Sequence, residues 1–501
     1  MQLRYYQQDA IDAVLKNESQ FGKQLVVMPT GAGKTICFAA LAQHKLPSRT
    51  LVLADKEKLV EQACEKIEQS TGMIAGREQA QYKADHDNAI VVSSVQTMIN
   101  RLGKWPKNHF DTVVVDEAHH CVADMWQEVL AHFDDHAKVV GFTATPFRSD
   151  KRELASYFDE VSYEIGLKTL IDDRFLCPIK LKALPTRIDL NNVPTVAGDF
   201  HAGKLHDTLT PLLRDIALQI KQHAGGRKTL VFVPLIATSK AFVEICKDIG
   251  LKAHHVSSAE KDKRTLLKYF SSCDGELMSN AMILTEGYDN PKISCVVNLR
   301  PTKSTTLYCQ MVGRGTRIAA NKDDLLVLDF LWDHQRHNLV RPANIFTENP
   351  EVARIMTERS FKGGGEVDMT ELERDALEER HRTLEERIRE NRQRKARTLD
   401  PTEFSLVLGN LGAAEYEPTM PWHHEPITTK QRQILNRAKF DMESVQDRGH
   451  ASALIDMIVP RWKEKMATPP QVMMLRKLRH PNPTKATFKE ADQYISRMFR
   501  R

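Results

Sequence analysis

The sequence predicts an α/β protein with two parallel-sheet domains in tandem, followed by a charged helix and a small all-α repeat module. Short apolar runs alternate with amphipathic stretches in the first third of the chain. The alternation resumes after a break, and the C-terminal part instead repeats one helical pattern. Strand–helix alternation is typical of parallel sheets with helices on both faces.

Composition narrows the class of protein. The 501 residues are too many for one ordinary core, and hydrophobic residues at 41% and charged residues at 27% are typical of a globular protein. No apolar run approaches the roughly 18 residues that cross a bilayer, and the first residues lack a secretory pattern. The eight scattered cysteines argue against a zinc ribbon or a disulfide framework. We therefore expect a cytoplasmic monomer with reduced thiols and no membrane contact.

Apolar runs mark the expected strands. The first domain, expected at residues 1–168, has five such runs, at Gln24–Met28, Thr50–Ala54, Ala89–Ser94, Thr112–Asp116 and Val139–Thr145. The second domain, expected at residues 169–345, has four, at Lys228–Pro234, Ala281–Thr285, Ser294–Leu299 and Asp324–Phe330. Pro185 to Gly203 lacks a clear period and is interpreted as a connector with some local structure.

The remaining chain divides into a linker and a module. Residues 346–415 are expected to form a charged helical linker, since Glu371 to Arg397 is almost entirely charged and Leu408 to Glu417 is linker-like. Residues 416–501 are expected to form the helical repeat module.

A glycine-rich turn follows the first predicted strand, in "VVMPTGAGKT". Gly31 and Gly33 would let backbone N–H groups approach phosphate oxygens, and the next helix would add its positive end. Lys34 would reach the β- and γ-phosphates, and Thr35 would hold Mg²⁺. Met28 stands where the strict pattern has glycine, which leaves a chance turn as the alternative. The predicted nucleotide loop comprises Thr30, Gly31, Ala32, Gly33, Lys34 and Thr35.

A carboxylate pair follows the fourth predicted strand, in "VVVDEAHH". Asp116 would bind Mg²⁺ through its water shell, and Glu117 would position or deprotonate an attacking water. Standing alone, such a pair could simply begin a helix. With Lys34 upstream at this spacing, it indicates metal and water chemistry beside a nucleotide.

These runs resemble the motifs of superfamily 2 helicases and translocases of the DEAD/DEAH-box type, over roughly residues 1 to 345. The order and spacing of the motifs make the resemblance specific. Read with "LRPTKSTTLYCQMVGRGTR", the "DEAHH" run is closest to the restriction-subunit (Res)-like or RadD-like branch, in bacteria or phages. The matching runs are "LRYYQ", "TGAGKT", "VLADKEKLVEQ", "SSVQTM", "DEAHH", "TAT" (Thr143 to Thr145), "VFVP", "LTEGYDNP" and "QMVGRGTR".

The resemblance implies two RecA-like domains with ATP and Mg²⁺ between them and nucleic acid across both. It implies that Gln7 contacts the adenine and that Gln310 contacts nucleotide or water. Arg314 and Arg317, three apart and so on one helical face, would neutralise charge on the γ-phosphate, an effect worth roughly 10³-fold or more in rate.

Two further assignments have plainer alternatives. The resemblance implies a nucleotide-ribose or inter-domain contact for Asp289, whereas an Asp before "NP" could simply form a turn. His119 and His120 are not at metal-ligand spacing with Cys or Glu. His119 is therefore expected to couple the carboxylate motif to the second domain.

The C-terminal repeat has a spacing of forty positions. Each copy predicts a capped helix, a loop and a second helix. Residues 416–501 carry roughly 16 Lys/Arg against 9 Asp/Glu, and "RKLRH" (Arg476 to His480) is expected to be an exposed helical face. The module could dock nucleic acid through its phosphates, dock a partner protein, or only pack. The matching positions are Thr428, Gln431, Leu435, Ala451 and Ile455 with Thr468, Gln471, Leu475, Ala491 and Ile495.

The sequence thus predicts an ATP-dependent nucleic-acid helicase or translocase that acts on DNA rather than RNA. Three alternatives stay open: an RNA remodelling helicase, the motor subunit of a restriction-type complex, and a non-motor ATP-binding switch. The intact lysine, carboxylate pair and arginine pair favour an active enzyme over the switch. No carboxylate–lysine nuclease motif is evident in the sequence.

Overall fold

The computed structural model describes residues 3–144, 154, 157–196, 199–260, 262–333, 339–347, 349–362, 365–391, 399–414, 416, 418 and 420–499. Two compact units divide the chain, residues 1–376 and residues 377–501. Within the described ranges, no helix combines the length and apolarity that a bilayer crossing requires.

A seven-stranded parallel sheet organises the N-terminal part of the first unit. Its strands are β1 (Lys23–Val27), β2 (Thr50–Ala54), β3 (Gly76–Glu78), β4 (Ile90–Ser94), β5 (Thr112–Asp116), β6 (Lys138–Thr143) and β7 (Glu160–Glu164). They lie in the order β3-β4-β2-β5-β6-β1-β7, and every pair is parallel. The helices are α1 (Tyr5–Asn17), α2 (Lys34–His44), α3 (Glu57–Thr71), α4 (Val95–Ile99) and α5 (Asp124–Phe133).

A second seven-stranded sheet follows in the same unit. Its helices are α6 (Leu167–Asp172), α7 (Ala202–Leu209), α8 (Leu213–His223), α9 (Ile236–Asp248), α10 (Lys263–Ser272), α11 (Thr305–Gly313) and α12 (Pro350–Lys362). Its strands are β8 (Ile179–Asp189), β11 (Thr229–Phe232), β12 (Ala253–Val256), β13 (Leu277–Asn280), β14 (Cys295–Asn298), β15 (Leu325–Asp333) and β16 (Glu366–Asp368). The order is β12-β13-β11-β14-β15-β8-β16, and only β16 is antiparallel. Two short strands, β9 (Thr195–Val196) and β10 (Asp199–Phe200), pair separately.

The two parallel sheets confirm the predicted fold class, and the predicted strand at Ala281–Thr285 is wrong. The strand is β13, which ends at Asn280. The buried amide of Asn280 donates to the Val231 carbonyl at 3.0 Å and accepts from the Leu284 N–H at 3.1 Å. These bonds close a turn in which Met282 has a φ of 70°. The apolar residues after Asn280 therefore line a loop.

The predicted connector from Pro185 to Gly203 begins inside a long strand. β8 continues through Pro185 to Asp189, because the pairing with β15 shifts register between Phe330 and Leu331. A bulge tolerates a proline that a regular ladder would exclude. The sheet also takes in β16, from the part of the chain predicted as linker.

The second unit is helical, as the internal repeat predicts. Its helices are α14 (Pro401–Val407), α15 (Leu411–Ala414), α16 (Thr429–Arg437), α17 (Arg448–Lys463), α18 (Pro469–Lys477) and α19 (Phe488–Phe499). The long charged helix α13 (Met369–Asn391) bridges the unit boundary in sequence, and residues 392–397 of the predicted charged run lie outside the described residues.

The two copies of the repeat begin in the same way. Thr428 accepts the Gln431 N–H, while the Gln431 side chain accepts the Thr428 N–H. Thr468 and Gln471 form the same capping box. The repeated Leu and Ala positions are fully buried in both copies. The repeated residues are therefore caps and core.

The segment predicted as a linker packs on the first copy. Phe404 is fully buried and its ring lies 5.3 Å from that of Phe440. Tyr416 stacks on His450 at 5.0 Å. Phe404 and Tyr416 therefore cover one face of the first copy, and Phe404 belongs to its core.

Replacing Phe404 with alanine should selectively destabilise the second unit. The lost burial and the cavity together cost roughly 3–5 kcal/mol. Hydrogen exchange of the full chain should show lower protection across residues 429–499. Phe488→Ala is the matched control, since Phe488 is 48% exposed. Equal protection in the two variants would contradict the packing described.

Candidate nucleotide site

The turn between β1 and α2 has the backbone that a phosphate loop requires. Gly31 and Gly33 adopt φ values of 91° and 89°, in the left-handed region that favours glycine. Lys34 and Thr35 begin α2 directly after the turn. Met28 is fully buried and donates its N–H to the Thr143 carbonyl at 2.9 Å. It extends the sheet rather than entering the turn, which explains why glycine is not needed there.

Helix α1 supports this turn from the other side. The Tyr6 hydroxyl and the Gln7 amide both donate to the carbonyl of Ala32, at 2.9 Å and 3.0 Å. The Gln7 side-chain oxygen accepts the Arg4 N–H at 3.0 Å. Both polar ends of the Gln7 amide are thus used within the protein, so an adenine contact would require their exchange and stays a prediction.

A cavity of about 440 Å³ adjoins the turn. Its walls include Leu3, Gln8, Ile36 and His44. A Cβ placed on Gly33 would lie 3.6 Å from Cδ1 of Ile36, so the cavity begins beside the loop. The motifs did not indicate these cavity residues, although Leu3 begins the "LRYYQ" run and Gln8 follows it.

Lys34 and the carboxylate pair meet at the carboxyl ends of β1 and β5. The Lys34 Nζ lies 3.0 Å from Oε1 of Glu117, with both side chains largely buried. Glu117 has a φ of 53°, a left-handed conformation that is strained for a residue with a side chain. Its N–H donates to the Asp116 carboxylate at 3.1 Å, and Nδ1 of His119 lies 3.5 Å from its other oxygen.

Burial and neighbouring charges together shift the pKa values of the two carboxyl groups in opposite directions. Burial and the adjacent Glu117 carboxylate raise the pKa of Asp116 to about 7. Burial would raise the pKa of Glu117 too, but Lys34 and His119 lower it to about 2. Burial lowers the pKa of His119 to about 4, so His119 is neutral near pH 7. Lys34 lowers the pKa of Asp116 as well, but its direct ion pair is with Glu117.

The residues present fit a magnesium ion. Asp116 and Thr35 offer a carboxylate and a hydroxyl oxygen, and Mg²⁺ commonly takes one or two protein oxygens plus phosphate and water. The described residues contain no cluster of three or more His, Cys, Asp or Glu side chains able to hold a metal. A nucleotide would therefore have to supply part of the shell.

The second sheet contributes a buried arginine. The Arg314 guanidinium donates to the carbonyls of Tyr288 and Gln310, at 3.0 Å and 3.3 Å. Arg314 is 6% exposed, and the described residues include no carboxylate in an ion pair with it. Burial and Arg317 lower its pKa to about 10, which leaves it charged at neutral pH.

Two other predicted site residues, Arg317 and Asp289, form an ion pair with each other. The Arg317 guanidinium lies 2.6 Å from the carboxylate of Asp289, which is half exposed. Gln310 is 2% exposed, and its Nε2 has no partner among the described residues. Gln310 lines a cavity of about 340 Å³ together with His119 and Glu286. His119 thus faces residues of the second domain, and its coupling of the carboxylate motif to that domain stays a prediction.

The phosphate loop touches the end of α11 directly. The Thr316 hydroxyl lies 3.3 Å from the Thr30 carbonyl. A Cβ on Gly313 would lie 2.5 Å from Cβ of Thr30. The cavity left between the two surfaces is only about 40 Å³, far below the roughly 300 Å³ of a small-molecule pocket. A nucleotide could therefore enter here only if Thr30 moved away from Gly313 and Thr316.

Residues of two of the family motifs also contact each other between the two sheet domains. Lys56 forms an ion pair with Glu286, and the Gln62 amide donates to the Gly287 carbonyl at 3.0 Å. These residues belong to "VLADKEKLVEQ" and "LTEGYDNP". The last residue of the "TAT" run, Thr145, lies outside the described residues.

Two family models match this chain. The model "Type III restriction enzyme, res subunit" covers residues 1–148, and "Helicase conserved C-terminal domain" covers residues 208–319. Both matches support a Res-like superfamily 2 helicase. The resemblance drawn from the motifs is thereby confirmed.

Curated relatives include two yeast proteins. "Putative ATP-dependent helicase IRC3" of Saccharomyces cerevisiae is 34% identical over 353 residues, which are 66% of this chain and 51% of the relative. "Putative mitochondrial ATP-dependent helicase irc3" of Schizosaccharomyces pombe is 29% identical over 360 residues, which are 68% of this chain and 59% of the relative. The chain thus spans little more than half the length of these relatives.

A solved structure supports the fold. The fragment of a "putative HsdR subunit of a type I restriction enzyme" from Vibrio vulnificus aligns with a TM-score of 0.54 and 22% identity. The alignment covers 66% of this chain and 64% of that one. At this identity the match shows a shared fold.

Gly313→Ala should destabilise the first unit by forcing Thr30 away from α11. Added volume in a tight contact typically costs 1–3 kcal/mol, so we expect a loss of about that size in unfolding free energy. The measurement is denaturant unfolding followed by hydrogen exchange at the phosphate loop. Gly103→Ala is the control, because nothing lies within 4 Å of its added Cβ. A Gly313→Ala protein as stable as the control would contradict this contact.

Proposed function

We propose that this protein is an ATP-dependent nucleic-acid helicase or translocase that acts on DNA. ATP hydrolysis between the two sheet domains would drive movement along one strand. The proposal rests on one observation above all. Lys34 pairs with Glu117 at the edge of the first sheet, and the buried Arg314 of the second sheet lies near enough for its charge to lower the pKa of Glu117. Within the described residues, Arg314 donates to carbonyls and forms no ion pair with a carboxylate.

The predicted site residues other than Asp289 each have a role in this proposal. Thr30, Gly31, Ala32 and Gly33 would surround the phosphates with backbone, and Lys34 would exchange Glu117 for a phosphate. Released from Lys34, Glu117 would hold the attacking water, and because burial would then raise its pKa, it would become a better acceptor for the water proton.

Magnesium and the second sheet complete the proposed site. Thr35 and Asp116 would hold Mg²⁺, which supplies positive charge at the phosphates. Arg314 and, after leaving Asp289, Arg317 would stabilise the charge that develops on the γ-phosphate. Gln310 would contact nucleotide or water. Gln7 would contact the adenine, and the cavity beside Ile36 is of a size to receive the base.

The choice of DNA is supported by the restriction-subunit model that matches the first domain. RNA remodelling, service as the motor of a restriction-type complex, and a non-motor switch are the alternatives. A monomer, a protein partner for the repeats and a cytoplasmic location stay predictions. The name of one relative places that relative in mitochondria.

ATP turnover by the full chain with different nucleic acids tests the proposal. Single-stranded, duplex and forked DNA and an RNA of the same sequence serve as activators. We expect DNA to stimulate turnover most strongly, and Lys34→Ala to reduce it to background because the phosphates lose their main charged partner. Stimulation by RNA alone would favour the remodelling helicase. Turnover unaffected by any nucleic acid would contradict a motor.

Arg314→Ala should lower the turnover number by roughly 10³-fold while changing ATP affinity little. A group that acts on transition-state charge affects rate more than binding. Steady-state kinetics with a fluorescent ATP analogue would separate the two. The control is Arg214→Ala, an exposed arginine of the same domain. Weaker ATP binding with unchanged turnover would remove Arg314 from this role.

A further inference from the structure

The second copy of the C-terminal repeat contains an open groove of about 580 Å³. It lies between the end of α18, the following loop and one face of α19. The side chains that line it include His480, Asn482, Lys485, Glu490, Tyr494 and Arg497. Tyr494 stands edge-on to His480 at 4.6 Å, which makes an aromatic wall.

The first copy fills the equivalent space with its own chain. Forty positions earlier, Phe440 corresponds to His480, His450 to Glu490 and Leu454 to Tyr494. Phe440, His450 and Leu454 are almost completely buried. Phe404 covers Phe440 and Tyr416 covers His450, through the ring contacts described above. The groove of the second copy is therefore the uncovered counterpart of a surface that is filled in the first.

The substitutions between the copies change the chemistry of this surface. Val445 and Met457 of the first copy correspond to Lys485 and Arg497. Residues 466–501 contain eight Lys/Arg and two Asp/Glu, whereas residues 426–465 contain eight and five. A covering segment like 399–416 would need an apolar surface, and the second copy has replaced it with a basic and aromatic one.

The charges of the groove are available for a ligand. Glu490 caps α19 and accepts from the Thr487 N–H at 2.9 Å, so its carboxylate is already used. Within the described residues, neither Lys485 nor Arg497 forms an ion pair. Arg476, Lys477 and Arg479 are exposed at the end of α18, as expected, although Arg479 lies beyond the helix with a φ of 56°.

We propose that this groove binds a single strand of nucleic acid. Lys485 and Arg497 contact backbone phosphates, and a base stacks on the wall formed by His480 and Tyr494. Proteins bind single strands through this combination of a basic groove and aromatic faces. The site goes beyond the proposed motor function, because strand binding in the groove requires no ATP turnover.

Binding of labelled single strands to the full chain, without nucleotide and across a salt series, tests the proposal. Lys485→Ala combined with Arg497→Ala should weaken binding roughly tenfold at about 100 mM salt. Two lost phosphate contacts should also reduce the slope of log K against log salt by about 1.4. The matched control, Lys430→Ala with Arg432→Ala, removes two exposed positive charges from the first copy and should leave the slope unchanged.

The stacking contact needs a separate variant. Tyr494→Leu introduces the residue that the first copy has at this position, so the helix should keep its fold. It should weaken binding roughly tenfold without changing the salt slope, because stacking neutralises no phosphate. A strand with a photoreactive base should crosslink to Tyr494 in the wild-type protein. Parallel DNA and RNA strands identify which of them the groove prefers.

These measurements distinguish strand binding in the groove from the proposed motor function. All these variants should retain the ATP turnover measured without nucleic acid. Equal affinities and equal salt slopes for the groove variant and the control variant would overturn the proposal that the groove binds a strand. Loss of binding to an acidic polypeptide, with strand binding unchanged, would overturn it in favour of a protein partner. Circular dichroism of each variant verifies that the repeats remain folded.

Discussion

The ion pair between Lys34 and Glu117 is the interaction on which the site depends. Both groups are largely buried, and an unpaired charge in such a place is costly. The pair forms because parallel strands place their carboxyl ends at one edge of the sheet, where β1 and β5 deliver the two residues. Removing either partner would leave a buried charge. A phosphate that takes Lys34 therefore changes the environment of Glu117 at the same time.

Much of this arrangement could be predicted from the sequence, because it rests on local rules. Gly31 and Gly33 had to adopt positive φ values for the turn to form, and Asp116 and Glu117 had to follow a buried strand. The repeat predicted four helices correctly, since Thr428 and Thr468 each begin a capping box. These features depend on neighbours within a few positions.

The incorrect predictions arise where a contact between residues far apart in the sequence decides the local structure. Asn280 ends β13 through a bond to the Val231 carbonyl, so the apolar residues after it could not continue the strand. Pro185 lies within β8 because a register shift with β15 accommodates it. Residues 408–417 look like a linker in composition, yet Tyr416 covers His450. Gln7 illustrates the same limit within the site, since its amide bonds depend on the position of Ala32.

Arg314 and Arg317 differ in hydration and in pairing, and therefore in the free energy that each would need to contact a bound phosphate. A guanidinium loses much of its hydration when it is buried, and folding has already removed most of the water around this one. Its two carbonyl partners hold it in place without neutralising its charge. Arg317, by contrast, rests on a half-exposed carboxylate, a type of pair worth about 1 kcal/mol or less. Arg314 is thus a dehydrated and preorganised cation, whereas Arg317, if it acts on a nucleotide as proposed, could leave its carboxylate at a cost of about 1 kcal/mol or less.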